Sequence, residues 1–76
     1  MEMELAARIQ ALRESLGMTQ AKFADVLIVS QGAVSRWEKG KHAPSERLLS
    51  KIAGLAGITS AELRYGEKYA PARSEG

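Results

Sequence analysis

The sequence predicts an all-α fold, a compact domain of five short helices. Apolar residues recur at helical spacing in successive blocks, and a hydroxyl residue suited to capping a helix precedes each of the later blocks. A β-strand competes only at residues 26–29, a segment between two helix caps that is too short for a convincing strand. We therefore expect one domain over residues 1–66, followed by a flexible tail over residues 67–76 that has no apolar periodicity.

The first predicted helix runs from about Met3 to Leu16. Gly17 follows it and suits the left-handed backbone conformation that often ends a helix. Arg13 lies at the edge of the apolar stripe of this helix, so its charge is expected beside the core. The stripe consists of Leu5, Ile9, Leu12 and Leu16.

Two short helices joined by a tight turn are predicted next. Each begins with a hydroxyl residue followed by glutamine, at Thr19-Gln20 and at Ser30-Gln31. In each, one apolar residue precedes the hydroxyl residue and another lies four positions after it, which is the spacing of a hydrophobic staple. The distance between the two helix starts leaves room for about two helical turns and a bend, so the stretch is a helix-turn-helix. The staple pairs are Met18 with Phe23 and Val29 with Val34.

The helix predicted over residues 30–39 has one apolar face and one polar face. At about 100° per residue, the apolar face consists of Ala33, Val34 and Trp37. Glutamine can bond an adenine edge through two groups, serine can bond almost any base, and arginine can fork onto guanine, so the polar face suits the major groove of DNA. That face consists of Gln31, Gly32, Ser35, Arg36 and Lys39. Basic residues at its far end are placed for phosphates, namely Lys39, Lys41 and His42.

These residues resemble the Cro and phage-repressor type of helix-turn-helix domain, also called the XRE family. The family pattern has Thr-Gln at the first helix, Ser-Gln or a similar pair at the second, and an exit of the form Trp-Glu-x-Gly-x-x-x-Pro-Ser. Here the exit is residues 37–45, WEKGKHAPS, and the resemblance extends over roughly residues 5–66. It implies a lambda-repressor-like fold and a transcription regulator that binds double-stranded DNA.

The resemblance also assigns roles to individual residues. Gln31 would read a base, and Gly32, Ser35 and Arg36 would occupy the other positions facing the groove. Arg13 and Glu38 would form a partly buried ion pair that fixes how the first helix meets the recognition helix. The phosphate contacts would come from Gln20 and Lys22 together with Lys39, Lys41 and His42.

One position departs from the family pattern. The family usually has glycine in the turn between the two helices, where the backbone is left-handed, and this chain has Ile28. A β-branched residue in that conformation costs about 1 to 2 kcal/mol. The sequence therefore predicts either a strained turn or a turn of different shape.

The last two helices follow a loop at residues 40–43. Pro44-Ser45 opens the fourth helix, and Gly57 can end it. Thr59 and Glu62 have the spacing of a capping box for a fifth helix that runs to about Tyr65. The staple pair is Ile58 with Leu63, and Gly66 stops the helix. The expected core face of the fourth helix consists of Leu48, Leu49, Ile52, Ala53 and Leu55.

Composition argues against several classes of protein. The chain has no cysteine and a single histidine, which excludes a disulfide framework and disfavours a metal site. The histidine has no plausible triad spacing to a serine, and there is no glycine-rich phosphate loop, so we expect no enzyme and no cofactor. The N-terminus is acidic and no apolar run approaches membrane-spanning length, so we expect a soluble, cytoplasmic protein. The net charge of +2 is weak evidence for nucleic acid, and the DNA hypothesis rests on the motif.

A single reading helix contacts few base pairs, so specificity favours a homodimer on a palindromic operator with half-sites roughly 34 Å apart. The expected dimer surface is the fifth helix with Leu63, Tyr65 and Tyr69. Two alternatives stay open, namely an antitoxin that binds a toxin protein and its own promoter, and a helical interaction module that does not bind DNA. The sequence does not distinguish repression from activation.

Overall fold

The computed structural model describes residues 2–66, and side chains from residue 4 onward. Met1 and the predicted tail, residues 67–76, lie outside the described residues. The described chain is all helical, which confirms the predicted fold class and the number of helices. The elements are α1 (Glu2–Ser15), α2 (Gln20–Leu27), α3 (Gln31–Glu38), α4 (Glu46–Leu55) and α5 (Ser60–Tyr65). The segment considered as a strand is instead the end of α2 and the turn after it.

Four of the helices begin with the predicted hydroxyl caps. In each, the side-chain oxygen accepts a hydrogen bond from the backbone N–H three residues later, at 3.0 to 3.3 Å. Glu62 also accepts from the backbone N–H of Thr59 at 2.8 Å, which completes the predicted capping box. The caps are Thr19, Ser30, Ser45 and Thr59.

Three of the junctions between helices share one construction. Each has a residue in the left-handed conformation, then an apolar residue that packs against the core, then the hydroxyl cap of the next helix. The left-handed residue and its successor donate to two carbonyls of the preceding helix, which is the Schellman arrangement. The junctions are residues 17–19, 28–30 and 57–59, and their left-handed residues are Gly17, Ile28 and Gly57.

The turn of the helix-turn-helix therefore has the same left-handed backbone as the two glycine junctions, although its residue is Ile28. Ile28 has φ 60° and ψ 49°, and its N–H donates to the Asp25 carbonyl at 3.2 Å while the N–H of Val29 donates to the Ala24 carbonyl at 3.0 Å. The corresponding bonds at Gly57 and Ile58 have the same lengths. Of the two predicted outcomes, the structure has the strained turn.

One apolar core unites the five helices. Helix α3 packs on both α1 and α2, α5 packs on both α4 and α1, and α4 also contacts α2. The larger buried side chains are Leu5, Ile9, Leu12, Phe23, Leu27, Val34, Trp37, Leu49, Ile52 and Leu63. These include the stripe predicted for α1 except Leu16, which packs against the core from a partly exposed position.

Two expectations about apolar positions are wrong. Leu55 is 37% exposed, because it lies six residues after Leu49 and so points about 120° away from it around α4. Leu63, expected on a dimer surface, is 1% exposed, because the staple spacing from Ile58 turns it into the core. Of the other two residues of that surface, Tyr65 is 50% exposed and Tyr69 lies outside the described residues.

Candidate nucleic-acid interface

Helix α3 presents a polar face to solvent and buries the opposite one. Val34 is fully buried and Trp37 nearly so, while Ala33 packs against the core from a half-buried position. These three residues form the apolar sector predicted from the sequence. The residues of the opposite sector are exposed at Gln31, Gly32, Arg36 and Lys39 and half-buried at Ser35. The helix is therefore held by one side, and the side with hydrogen-bonding groups is open.

A buried ion pair fastens the C-terminal end of α3 to α1. Arg13 donates from Nε to Glu38 Oε2 at 2.7 Å and from Nη2 to Oε1 at 3.1 Å, a two-point contact. The side chains are only 11% and 4% exposed, respectively. Arg13 Nη1 also donates to the Met18 carbonyl at 2.8 Å, so the guanidinium joins α1, the first junction and α3.

Electrostatics at this pair favour the charged guanidinium. The hydrogen bond to Glu38 raises the pKa of Arg13 above its ordinary value, and the charges of Glu38 and Glu14 act in the same direction. Burial acts in the opposite direction and is outweighed. Arg13 therefore stays charged at the margin of the core.

Gln20, the first residue of α2, contacts the same carboxylate. Its Nε2 donates to Glu38 Oε1 at 3.0 Å. Sequence reasoning missed this contact, which no local spacing reveals because Gln20 and Glu38 are on different helices. The amide nitrogen carries a second hydrogen, so this contact leaves Gln20 a donor for another acceptor. One carboxylate thus positions both α3 and the first side chain of α2.

Gly32 and Arg36 are neighbours on the outward face of α3. A Cβ atom at Gly32 would lie 3.5 Å from Arg36 Nη1 and 3.9 Å from Nη2. Arg36 therefore lies back along the helix over the surface that glycine leaves open. Sequence reasoning placed both residues on this face but did not relate them.

Basic side chains surround the outward face. The backbone N–H groups of Lys41 and His42 donate to the Arg36 carbonyl at 3.0 and 3.4 Å, so the loop after α3 folds back against the end of that helix. Gly40, with φ 76°, makes this reversal possible. In the part of the chain that the structure describes, none of the exposed cations here forms an ion pair with an acidic group. These cations are Lys22, Lys39 and Lys41.

The described residues contain neither a cluster of metal-binding side chains nor a membrane-spanning helix. No group of three or more metal-binding side chains of histidine, aspartate or glutamate gathers among residues described in the structure. None of the five described helices combines the length and apolar character needed to cross a membrane.

Comparisons with known proteins agree with this architecture. The family described as Helix-turn-helix matches residues 9–63. The chain is 38% identical over 66 residues to the HTH-type transcriptional activator BcrR of Enterococcus faecalis. That alignment covers 87% of this chain and 32% of the relative, so the chain spans about a third of the relative's length. No solved structure gives a significant match.

Proposed function

Since this chain belongs to the helix-turn-helix family of the Cro and phage-repressor type, we propose that it is a DNA-binding transcription regulator and that it reads the major groove with α3. The observation that supports this most directly is the division of α3 into a buried apolar face and an open polar face. A helix of this kind fits the major groove, whose base edges offer hydrogen-bonding groups. Regulators of this type are typically not enzymes, and we propose no catalytic residue and no cofactor.

Base recognition is assigned to the outward residues near the start of α3. Gln31 reads a base edge through its amide, and Ser35 and Arg36 read neighbouring positions. Gly32 has no side chain to contact a base. Arg36 lies over the surface beside Gly32, where a Cβ would make an ordinary contact with the guanidinium at 3.5 Å. The part of Gly32 is therefore to carry no long side chain that would displace Arg36.

Phosphate contacts position the helix in the groove. Lys22 and Gln20 lie at the start of α2, while Lys39, Lys41 and His42 lie at the far end of α3 and in the loop. Such contacts carry no sequence information directly, but they fix the orientation of the protein on the duplex. Glu38, by holding Gln20, keeps one of these donors in a fixed place.

The regulator acts as a homodimer on a two-fold operator. One α3 reaches only a few base pairs, and two copies with half-sites roughly 34 Å apart give the specificity that a regulator needs. The half-exposed Tyr65 on α5 is the described residue that supports a contact between copies through this helix.

Selection of a random duplex library on the purified protein tests the proposal. At about 150 mM salt, binding that depends on phosphates alone is weak, so enrichment reports base recognition. We expect a palindrome with two short half-sites. Gln31→Ala should reduce the binding free energy on that site by about 1 to 3 kcal/mol and relax the base preference at one position.

Gln10→Ala is the matched control, since Gln10 is an exposed glutamine on α1 whose side-chain amide donates to Glu14 at 3.2 Å. Base preferences that are the same for the wild type and the Gln31 variant would overturn the reading role. If folded protein enriched no sequence, the result would favour the hypothesis that the chain is an antitoxin or another interaction module. Co-purification of a second small protein would then identify an antitoxin.

A further inference from the structure

A groove separates the turn of the helix-turn-helix from the first half of α4. Its volume is about 310 Å³. The apolar residues that line it are Leu27, Ile28, Val29 and Leu48, and the basic residues are Arg47 and Lys51. None of them belongs to the outward face of α3, so this surface is distinct from the one proposed to read bases.

Ile28 is the residue that most needs an explanation. It is 82% exposed, the highest value among the large apolar side chains described. It also has a left-handed backbone at a junction whose two counterparts use Gly17 and Gly57 with the same pattern of hydrogen bonds. The side chain thus brings strain to the turn and is not buried in return. Strain of this kind is typically kept where a residue has a function.

The rim of the groove carries positive charge that the domain does not neutralise. Arg47 and Lys51 are four residues apart and therefore adjacent on one face of α4, where like charges repel. Both are exposed, and among residues 4–66 neither side chain forms a hydrogen bond or an ion pair. By contrast, Arg64 pairs with Glu46 at 2.6 Å.

We propose that this groove binds an acidic segment of another protein that also carries an apolar side chain. The apolar side chain would pack against Ile28 and Leu48, and carboxylates on either side of it would pair with Arg47 and Lys51. Interfaces between proteins commonly combine an apolar centre with arginine and a charged rim. DNA phosphates would satisfy the two cations but would leave the apolar surface and Ile28 without a partner, so the observations favour a protein. This inference goes beyond the proposed reading of DNA and does not depend on it.

Titration of the 15N-labelled full chain with a synthetic peptide tests the inference. The probe is a 12-residue peptide of aspartate, leucine and serine. One control peptide has serine in place of leucine, and the other has lysine in place of aspartate. We expect a Kd of about 1 mM or tighter for the first peptide alone, with resonance shifts at residues 27–29 and 45–51. Ile28→Gly and Arg47→Glu should each weaken this binding about tenfold.

Leu55→Ala is the control for apolar exposure, because Leu55 is exposed at the other end of α4, outside the groove. Lys51→Glu is a second charge reversal if the first disturbs folding, which the same spectra report. No shifts at the groove, or equal binding of the serine peptide, would overturn the proposal. The proposal would also be overturned if the peptide did not bind while Ile28→Gly and Arg47→Glu both weakened binding of the protein to a DNA duplex. The groove would then be a DNA-contacting surface.

Discussion

Removal of the Glu38 carboxylate should destabilise the domain strongly. Glu38→Ala deletes the acceptor of three hydrogen bonds and leaves the Arg13 guanidinium, 11% exposed, with the Met18 carbonyl and the more distant Glu14 carboxylate. That carboxylate lies 3.8 Å away on a side chain that is 59% exposed, so it compensates the charge only weakly. Breaking a buried pair from one side costs about 3 to 5 kcal/mol, because the remaining charge is desolvated and has lost its close partner. A domain of this size has a total stability of about 4 to 11 kcal/mol. We therefore expect a fall in Tm of at least about 12 °C by calorimetry or circular dichroism.

The exposed pair between Glu46 and Arg64 provides the matched control. Its N–O distance of 2.6 Å is close to that of the buried pair, but Glu46 is 74% exposed. Glu46→Ala should therefore change stability by less than about 1 kcal/mol. Equal shifts in Tm for the two glutamate variants would refute the argument that burial makes the difference. The double variant Arg13→Met with Glu38→Leu should recover most of the loss, because no charge then remains at the core margin.

The stability that this pair contributes should not vary with pH through the titration of Arg13 near neutrality. The folded-state pKa of Arg13 is raised, so its contribution is fully present below the ordinary arginine pKa. It is lost only as the pH rises through the raised value. A loss of stability between about pH 6 and pH 9 must therefore come from another group.

Substitutions at Ile28, Lys41 and Gly32, two of them with a companion variant, test the turn, the phosphate contacts and the outward face of α3. Ile28→Gly should raise the free energy of unfolding, measured by urea titration, by about 0.5 kcal/mol. It relieves about 1 to 2 kcal/mol of backbone strain, and the greater conformational entropy of glycine in the unfolded chain offsets part of that gain. Gly57→Ile should lower the free energy of unfolding by a similar amount. A large loss for the Ile28 variant would mean that its side chain supports the fold. Lys41→Ala should weaken binding to all duplexes alike and reduce the salt slope by about one unit, and a change in base preference would argue against a phosphate role. Gly32→Gln should displace Arg36 and change the preference at its base by about 1 to 3 kcal/mol, while Gly32→Ala, whose Cβ would make an ordinary contact at 3.5 Å, should not.

The caps and stops of the helices were predictable because they are local. A hydroxyl residue at Thr19 or Ser30 bonds the backbone three residues later, and a left-handed glycine such as Gly17 ends a helix, so short stretches of sequence carry the signal. The division of α3 into two faces followed from the helical repeat alone. Even the strain at Ile28 was a predicted alternative, because it depends on one residue type in one conformation.

Contacts between helices were less accessible from the sequence. Periodicity gives a direction around α4 but not the width of its buried sector, and Leu55 lies outside that sector. The hydrogen bond from Gln20 to Glu38 depends on how α2 crosses α3, which periodicity does not specify. The relation between Gly32 and Arg36 depends on a rotamer of a long side chain, and the sequence contains no signal for it.

The residues that hold α3 and the residues that face outward from it are separate sets. Val34, Trp37 and Glu38 attach the helix to the domain, whereas the side chains of Gln31, Arg36 and Lys39 are exposed and form no ion pair within the described residues. Under the proposed reading of DNA, substitutions on the outward face can therefore alter base preference without altering how α3 packs on the domain. The fold of the domain and the specificity of α3 can therefore change independently. Evolution or design can test new specificities at little risk to folding.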